Sequence, residues 1–340
     1  MYSFEGQNCN AVWLKCAEAL LKEPDEDFIV VDSRNGKTHE LPHVLLTISN
    51  SVERYAIDRL PPINIAFALA EVVWILQGSA NAKVINFWNS KLPKFSGKTV
   101  VYAGAYGYRL SHYFGFNQIE AAYNALREDP ITRRVVLTIW GSQTDFPRES
   151  FPRYSDIPCN ICSMLKVRDG KLWWSQIMRS NDIFLGTPYN LIQFTVLQEL
   201  LASWLNLKVG AYSLYCDSLH LYLKNQKEVK NSVISSNSST NIPENTDRFE
   251  LDYEQTATVV KMIYAKMVRA IQNEITTKEH EDFLAGLSHT PTWQNIYRVI
   301  MAYAASKHNN LETMNALVAE ISNPALYYCW KNWKARRKST

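Results

Sequence analysis

Apolar residues recur along this chain at three spacings, and each predicts a different element. Residues 63–76, INIAFALAEVVWIL, are apolar almost throughout, with Glu71 the one charged position. A bilayer span needs roughly 20 such residues, so this shorter run predicts a buried helix. NLIQFTVLQELLASWLNL (190–207) predicts a second long helix, amphipathic or buried. RRVVLTIW (133–140) predicts a strand. ICSMLKVRDGKLWWSQIM (161–178) predicts two strands that turn at Asp169-Gly170, a pair suited to the positive φ of a tight hairpin. YEQTATVVKMIYAKMVRAIQNEI (253–275) and TWQNIYRVIMAYAASKH (292–308) return to helical spacing. Before them NSVISSNSSTNIPENTD (231–247) is rich in Ser, Asn and Thr and predicts a linker or long loop. The pattern predicts an α+β fold, an antiparallel sheet backed by long helices. Its expected parts are a domain over 1–230, a linker or loop over 231–248, and a helical extension over 249–340.

Composition narrows the class. A chain of 340 residues, 46% of them apolar, can bury one large core, or a core with a smaller satellite. A formal net charge of +3 is too small to argue for a nucleic-acid partner. The first residues, MYSFEGQNCNAVWLK, lack the basic start and apolar stretch of a secretory signal. The cysteines, at 9, 16, 159, 162, 216 and 329, form no disulfide framework in a chain this long. Together these features predict a soluble, cytoplasmic protein in a reducing compartment, with no membrane attachment. The abundant Trp and Tyr suit a stacking pocket and suit an ordinary core equally.

Two cysteines stand close together in DIPCNIC (156–162). A lone CxxC is half a zinc site, no second pair follows at ligand spacing, and His39 and His43 could join it only at long range. No metal is expected. A thioredoxin-like pair needs a helix beginning at the first Cys, whereas here the chain continues into strand. Two buried thiols remain open from spacing alone. Cys159 differs from Cys162 in its surroundings. It follows Pro158 at the start of a strand, and the hairpin returns Arg179 and Ser180 to it. A guanidinium beside a thiol favours the thiolate. Cys162, three residues on, is expected to point to the opposite face and pack.

At these residues the chain resembles thymidylate synthase and its nucleotide hydroxymethylase relatives, over roughly 30 to 225. RSNDIFLGTPYN (179–190) resembles the family signature Arg-Ser-x-Asp-x-x-Leu-Gly-x-Pro-aromatic-Asn. SRNG at 33, EVVWILQG at 71, AYGYR at 105, DPITRR at 129, IPCN at 157 and SLHLY at 218 keep the family's order. The resemblance implies a thymidylate-synthase-like, mostly antiparallel sheet, and a one-carbon transfer to C5 of a pyrimidine nucleotide monophosphate. It implies 5,10-methylenetetrahydrofolate as co-substrate. Cys159 would attack C6. Arg34, Arg179 and Ser180 would hold the 5′-phosphate. Arg133 and Arg134 would reach the site of the partner subunit, making the enzyme a homodimer. Asn190 would read the base, while His220 and Tyr222 would bond the sugar hydroxyl. Glu71 and Tyr106 would run the proton and water network. Asp182, Gly186 and Trp88 would meet the folate.

Blander roles stay open for several of these residues. Glu71 could be a buried carboxylate paired with a cation. Arg133 and Arg134 could form a solvated turn after Asp129-Pro130. Asn190 could cap a helix, and His220 could be a satisfied core histidine.

An amide at Asn190 offers both a donor and an acceptor, as uracil requires; a carboxylate would suit cytosine better. The departures from the family concern the product. Asn160 follows the nucleophile where the family has His. Met178 stands where it has Gln, and Ser218 where it has Asp. The family ends in a short apolar tail that closes over folate. This chain ends WKNWKARRKST, basic and polar, either solvated or in contact with nucleic acid. A missing apolar lid and an altered shell around the cysteine favour attack by water over hydride. The expected activity is therefore deoxyuridylate (dUMP) 5-hydroxymethylation. The alternatives are a reductive thymidylate synthase and a nucleotide-binding protein without catalysis.

Overall fold

The computed structural model describes residues 1–22, 29–33, 35–146, 156–236 and 243–336. Its strands are β1 (Tyr2–Gly6), β2 (Ile29–Ser33), β3 (Gly36–Ile48), β4 (Val136–Thr138), β5 (Asn160–Arg168), β6 (Lys171–Met178), β7 (Asn181–Asp182) and β8 (Lys208–Tyr222). They form one sheet in the order β1-β3-β8-β6-β5-β4, with β2 on β3 and β7 on β8. The predicted hairpin joins β5 to β6, and Asp169 and Gly170 take φ of 52° and 68° in its turn. The pairings β2–β3, β3–β8, β4–β5 and β5–β6 are antiparallel, as expected. β1–β3, β6–β8 and β7–β8 run parallel, so the sheet is mixed. The strand expected over 133–140 shortens to β4. The N–H groups of Ile139 and Trp140 both turn to the carbonyl of Ile161 (2.9 and 3.0 Å), and the ladder ends there.

Helices α1 (Cys9–Leu21), α2 (Ile65–Leu76), α3 (Ala82–Trp88) and α4 (Pro93–Ser96) precede the single turn α5 (Tyr106–Tyr108). α6 (Gln118–Glu128), α7 (Ser142–Asp145), α8 (Thr187–Trp204) and α9 (Gln226–Ser236) follow. The two long apolar runs become α2 and α8, as predicted. Asn64 caps α2 by accepting the N–H of Phe67 (3.2 Å). Pro188 lies in the first turn of α8, where its missing N–H costs nothing. α1 packs on β3, and α8 packs on β6 and β8. One sheet face thereby buries Leu41, Val44 and Leu46 of β3, Leu172 and Trp174 of β6, and Tyr212, Leu214 and Cys216 of β8.

The last part of the chain is helical: α10 (Tyr253–Ala270), α11 (Thr277–Gly286), α12 (Pro291–Lys307), α13 (Leu311–Ala319) and α14 (Pro324–Arg336). Capping boxes of Asp252 with Gln255 and of Thr276 with Glu279 start α10 and α11. α10, α12 and α14 all pack on α2, so these helices share the central core. The expected linker divides differently. Residues 231–236 continue α9, where Val229 and Ser232 are buried and the Ser232 hydroxyl accepts the Leu60 N–H (2.7 Å). Residues 237–242 lie outside the described residues. The segment beyond them is pinned: Asn245 gives its amide to the Val52 carbonyl (2.6 Å), and Phe249 packs edge-on against Trp293. Among the described residues no helix is long and apolar enough to cross a membrane.

Polar residues of α8 lock the helix to the layer below. Gln198 gives its amide to the Leu172 and Gly210 carbonyls (3.0 and 3.1 Å), and the Glu199 carboxylate pairs with the buried Arg54 guanidinium. Breaking a buried pair strands one charge in the core, so Glu199→Ala should lower the unfolding free energy by about 3–5 kcal/mol in urea titration. A loss below about 1 kcal/mol would mean that solvent already screens the pair.

Candidate active site

The site begins where the hairpin closes. The Arg179 N–H donates to the Cys159 carbonyl (2.9 Å), which fixes the two residues side by side. Arg179 Nε donates to the Pro158 carbonyl (3.0 Å) and Nη2 to that of Ile157 (3.2 Å). Nη2 then lies 3.8 Å from Cys159 Sγ. The guanidinium also sits over the Trp140 ring, 5.8 Å from its centroid. Three anchors on one planar fork leave it little freedom to leave the thiol. Cys159 is half-buried and opens on a large cavity; Cys162 does not. A bulge between Asn160 and Cys162 interrupts the alternation. The two thiols therefore separate because Cys159 precedes the strand, and not through pleat parity alone. The strand that follows also rules out the helix a thioredoxin-like pair requires. Among the described residues, no group of three or more His, Cys, Asp or Glu side chains is placed to hold a metal ion.

Glu71 comes from the middle of α2 and faces α8. Its partner is an amide and not a cation: Gln193 Nε2 donates to Oε2 (2.5 Å). Burial pushes the Glu71 carboxyl up to about 7, against the opposing pull of that hydrogen bond. Tyr106 stands nearby on α5. Burial, then the neighbouring Cys159 sulfur, raise its hydroxyl well above the usual range, while a hydrogen-bonding contact with Asn160 opposes them. This proximity depends on Gly107. A Cβ there would meet the Ile75 carbonyl oxygen at 2.3 Å, so only glycine lets the turn touch α2. Asn160 is wholly buried and accepts from Gln176 Nε2 (2.6 Å). Gln176 in turn accepts from the Ser163 hydroxyl (2.5 Å) and the Trp174 N–H (3.1 Å). A chain of polar groups thus runs through the inner sheet face to Asn160, the residue after Cys159.

The opposite wall comes from the 179–190 segment. Asn190 lies inside the first turn of α8, and Gly186 holds the cap position, so the capping role is excluded. The Asn190 amide donates to Asn181 Oδ1 (3.1 Å), which leaves its second N–H and its carbonyl oxygen for the cavity. Asp182 Oδ1 accepts the N–H groups of Phe184 and Leu185 (2.8 and 3.0 Å). Its Oδ2 is buried with no hydrogen-bond partner among the described residues. Burial raises the Asp182 carboxyl, and those two N–H groups with His220 and Arg59 oppose the rise. The Ser180 hydroxyl lies 3.4 Å from His220 Nδ1, and the His220 ring meets the Tyr222 ring edge-on. His220 is thus a wall residue and not a core histidine.

One cavity of about 1260 Å³ gathers these groups. It is lined by Glu71, Trp88, Tyr106, Cys159, Arg179, Ser180, Asp182, Gly186, Asn190, His220 and Tyr222. Arg133 and Arg134 are exposed and lie outside it. Arg34 lies outside the described residues. Sequence reading missed Gln193, Asn181 and Asn64, which also line it. Gln193 was within reach, because it follows Asn190 by three residues on a predicted helix and so shares its face.

The thymidylate synthase family model matches residues 32–287, three quarters of the chain. This chain belongs to the thymidylate synthase family. The deoxyuridylate hydroxymethyltransferase of Bacillus phage SP01 is 31% identical over 234 residues, 66% of this chain and 59% of the phage protein. The deoxyuridylate hydroxymethyltransferase of Pseudomonas phage M6 is 29% identical over 205 residues, 59% of this chain and 56% of its own length. The thymidylate synthase of Clostridium beijerinckii is 29% identical over 215 residues, 62% of this chain and 78% of its own. The matched part is thus less than two thirds of either phage protein.

For this family member Glu71 links the site to pH. Below pH 4.5 it is protonated in the folded and the unfolded chain alike. Between 4.5 and about 7 only the unfolded chain ionises, so stability falls as pH rises, and above about 7 the loss is complete. At 1.36 kcal/mol per pH unit the loss is on the order of 3 kcal/mol. Glu71→Gln should therefore gain stability over wild type between pH 5 and 8, read by urea unfolding at each pH. A difference that stays flat across that range would place the carboxyl in its ordinary range.

Proposed function

We propose that this protein transfers a one-carbon unit to C5 of deoxyuridylate and releases the 5-hydroxymethyl product. The observation that carries the reading is the convergence of Cys159, Arg179, Glu71 and Asn190 on one cavity. Cys159 Sγ forms a bond to C6 of the ring, and the electron pair of the C5–C6 double bond moves toward C5 and O4. The second N–H of Asn190 meets the developing charge on O4, and its carbonyl oxygen accepts N3–H. Facing cytosine, the same amide would leave its groups unmatched, at a cost of about 1–3 kcal/mol for each. Arg179, Ser180 and Arg34 hold the phosphate; His220 and Tyr222 hold the sugar. C5 then forms a bond to the transferred carbon, and Glu71, near neutrality and hydrogen-bonded to Gln193, takes up the proton that C5 loses and passes it through water to solvent. Expulsion of the Cys159 thiolate restores the ring.

A folate fits the remaining space. The unpartnered Asp182 Oδ2 is suited to the donors of a pterin, and Trp88 and Gly186 line the same cavity. Methylenetetrahydrofolate would supply a one-carbon unit at the formaldehyde level, which water turns into hydroxymethyl without redox change and hydride turns into methyl with oxidation to dihydrofolate. Asn160 beside the nucleophile, where the family has His, supports water, as does the similarity to the two phage hydroxymethyltransferases. The similarity to a thymidylate synthase keeps the reductive reaction as the second reading.

Arg133 and Arg134 support a dimer in which each subunit completes the other's phosphate site. They are exposed, adjoin the edge strand β4 and stand away from their own cavity.

Mass spectrometry of the product from dUMP and methylenetetrahydrofolate should show a gain of about 30 mass units, as addition of water to the transferred carbon requires. A gain of about 14, with dihydrofolate absorbance growing at about 340 nm, would assign the reductive reaction instead. Cys159→Ala and the double variant Arg133→Ala/Arg134→Ala should each be inactive. Mixed in equal amounts, they should recover about a quarter of wild-type activity through heterodimers with one intact site. No recovery in a mixture shown to exchange subunits would remove the shared-site reading.

A further inference from the structure

One wall of the cavity comes from residues beyond the segment that the family model matches. Tyr303 of α12 and Trp333 and Arg336 of α14 line the same space as Cys159. Tyr303 and Trp333 are 5% and 8% exposed, with ring centroids 5.4 Å apart and planes tilted by 36°. Trp330 backs Trp333, again with centroids 5.4 Å apart. The Trp88 N–H donates to the Ile300 carbonyl (3.2 Å) and ties α12 to α3. The aromatic wall is therefore fixed on both sides.

This wall ends in positive charge. Arg336 follows Trp333 by three residues on α14, so the two side chains share a helix face. Arg59 lines the cavity as well. It gives its N–H groups to the Phe184 carbonyl (2.8 Å) and to that of Pro61, and its guanidinium lies over the Phe184 ring, 3.9 Å from the centroid. An aromatic surface leading to two guanidinium groups suits an aromatic ligand with a carboxylate tail. The nucleotide's own anion has Arg179 and Ser180 at the other wall.

We propose that α14 is the co-substrate recognition wall, with Trp333 and Tyr303 receiving the ligand's aminobenzoyl ring and Arg336, beside Arg59, receiving its glutamate carboxylates. This rests on the reading of the co-substrate as a folate. It assigns to the C-terminal helices a specificity function in the cavity itself.

The test is calorimetric titration of the full chain, saturated with dUMP, with 5-formyltetrahydrofolate and with the pteroate analogue that lacks glutamate. Arg336→Gln should weaken the glutamate-bearing ligand about tenfold, the scale of one lost charge-assisted contact, and leave the pteroate unchanged. Trp333→Leu should weaken both ligands, and Trp333→Phe should restore them. dUMP affinity, measured alone, should be the same in all variants. Equal binding of both ligands by wild type and Arg336→Gln would overturn the assignment and leave the folate reading intact. Weakened dUMP binding in Arg336→Gln would overturn it in favour of a phosphate contact. If wild type binds dUMP and neither folate, the co-substrate reading falls, and this inference with it.

Discussion

The last backbone hydrogen bond of one hairpin, from Arg179 to Cys159, is the constraint on which the site depends. It makes the closeness of thiol and guanidinium a property of strand register and not of side-chain choice. A side-chain pair alone would have to give up rotamer entropy to stay together. Here the ladder has already fixed both Cα positions, and the carbonyls of Ile157 and Pro158 hold the fork. The turn chemistry at Asp169-Gly170, far from the cavity, is thereby a determinant of the environment of the Cys159 thiol.

Around that pair the protein buries polar groups that an ordinary core would exclude. Glu71 is held by an amide, Asp182 keeps one oxygen unpartnered among the described residues, and Asn160 continues into Gln176, Ser163 and Trp174. Each disfavours the compact state unless something else uses it, since buried polar atoms without partners are destabilising. α2, apolar on nearly every side, and the buried Leu, Ile, Val and Phe residues of α8 supply the compensating burial. The apolar run that first identifies α2 as a helix is thus also what raises its lone carboxyl toward neutrality.

Much of this was legible in the residues, and the failures share a cause. The hairpin, α2, α8 and the helical last third follow from local periodicity and turn chemistry, which act within a few residues. The parallel pairings of β1 with β3 and β6 with β8 join strands distant in sequence, and periodicity does not encode partners. Residues 231–236 read as linker from their serines and asparagine. They are helical because Ser232 finds a partner in Leu60, a contact 172 positions away. The cavity residues named by the 179–190 signature were legible because one segment carries them. Trp333 and Arg336 were not, because nothing near them in sequence points to Cys159. Of the paired thiols, the separation was anticipated and its origin was not, since a bulge leaves no mark in composition.

The hydrogen bond from Trp88 to Ile300 joins the segment that the family model matches to the helices beyond it. The family match stops at residue 287, yet α12 and α14 lie on α2 and help to enclose the cavity. Similarity and cooperativity therefore have different borders in this molecule. A piece trimmed to the matched residues would expose the indole of Trp88 and a flank of the helix that carries Glu71. The matched segment and the helices beyond it are in that sense two parts of one core, with α2 as their shared surface.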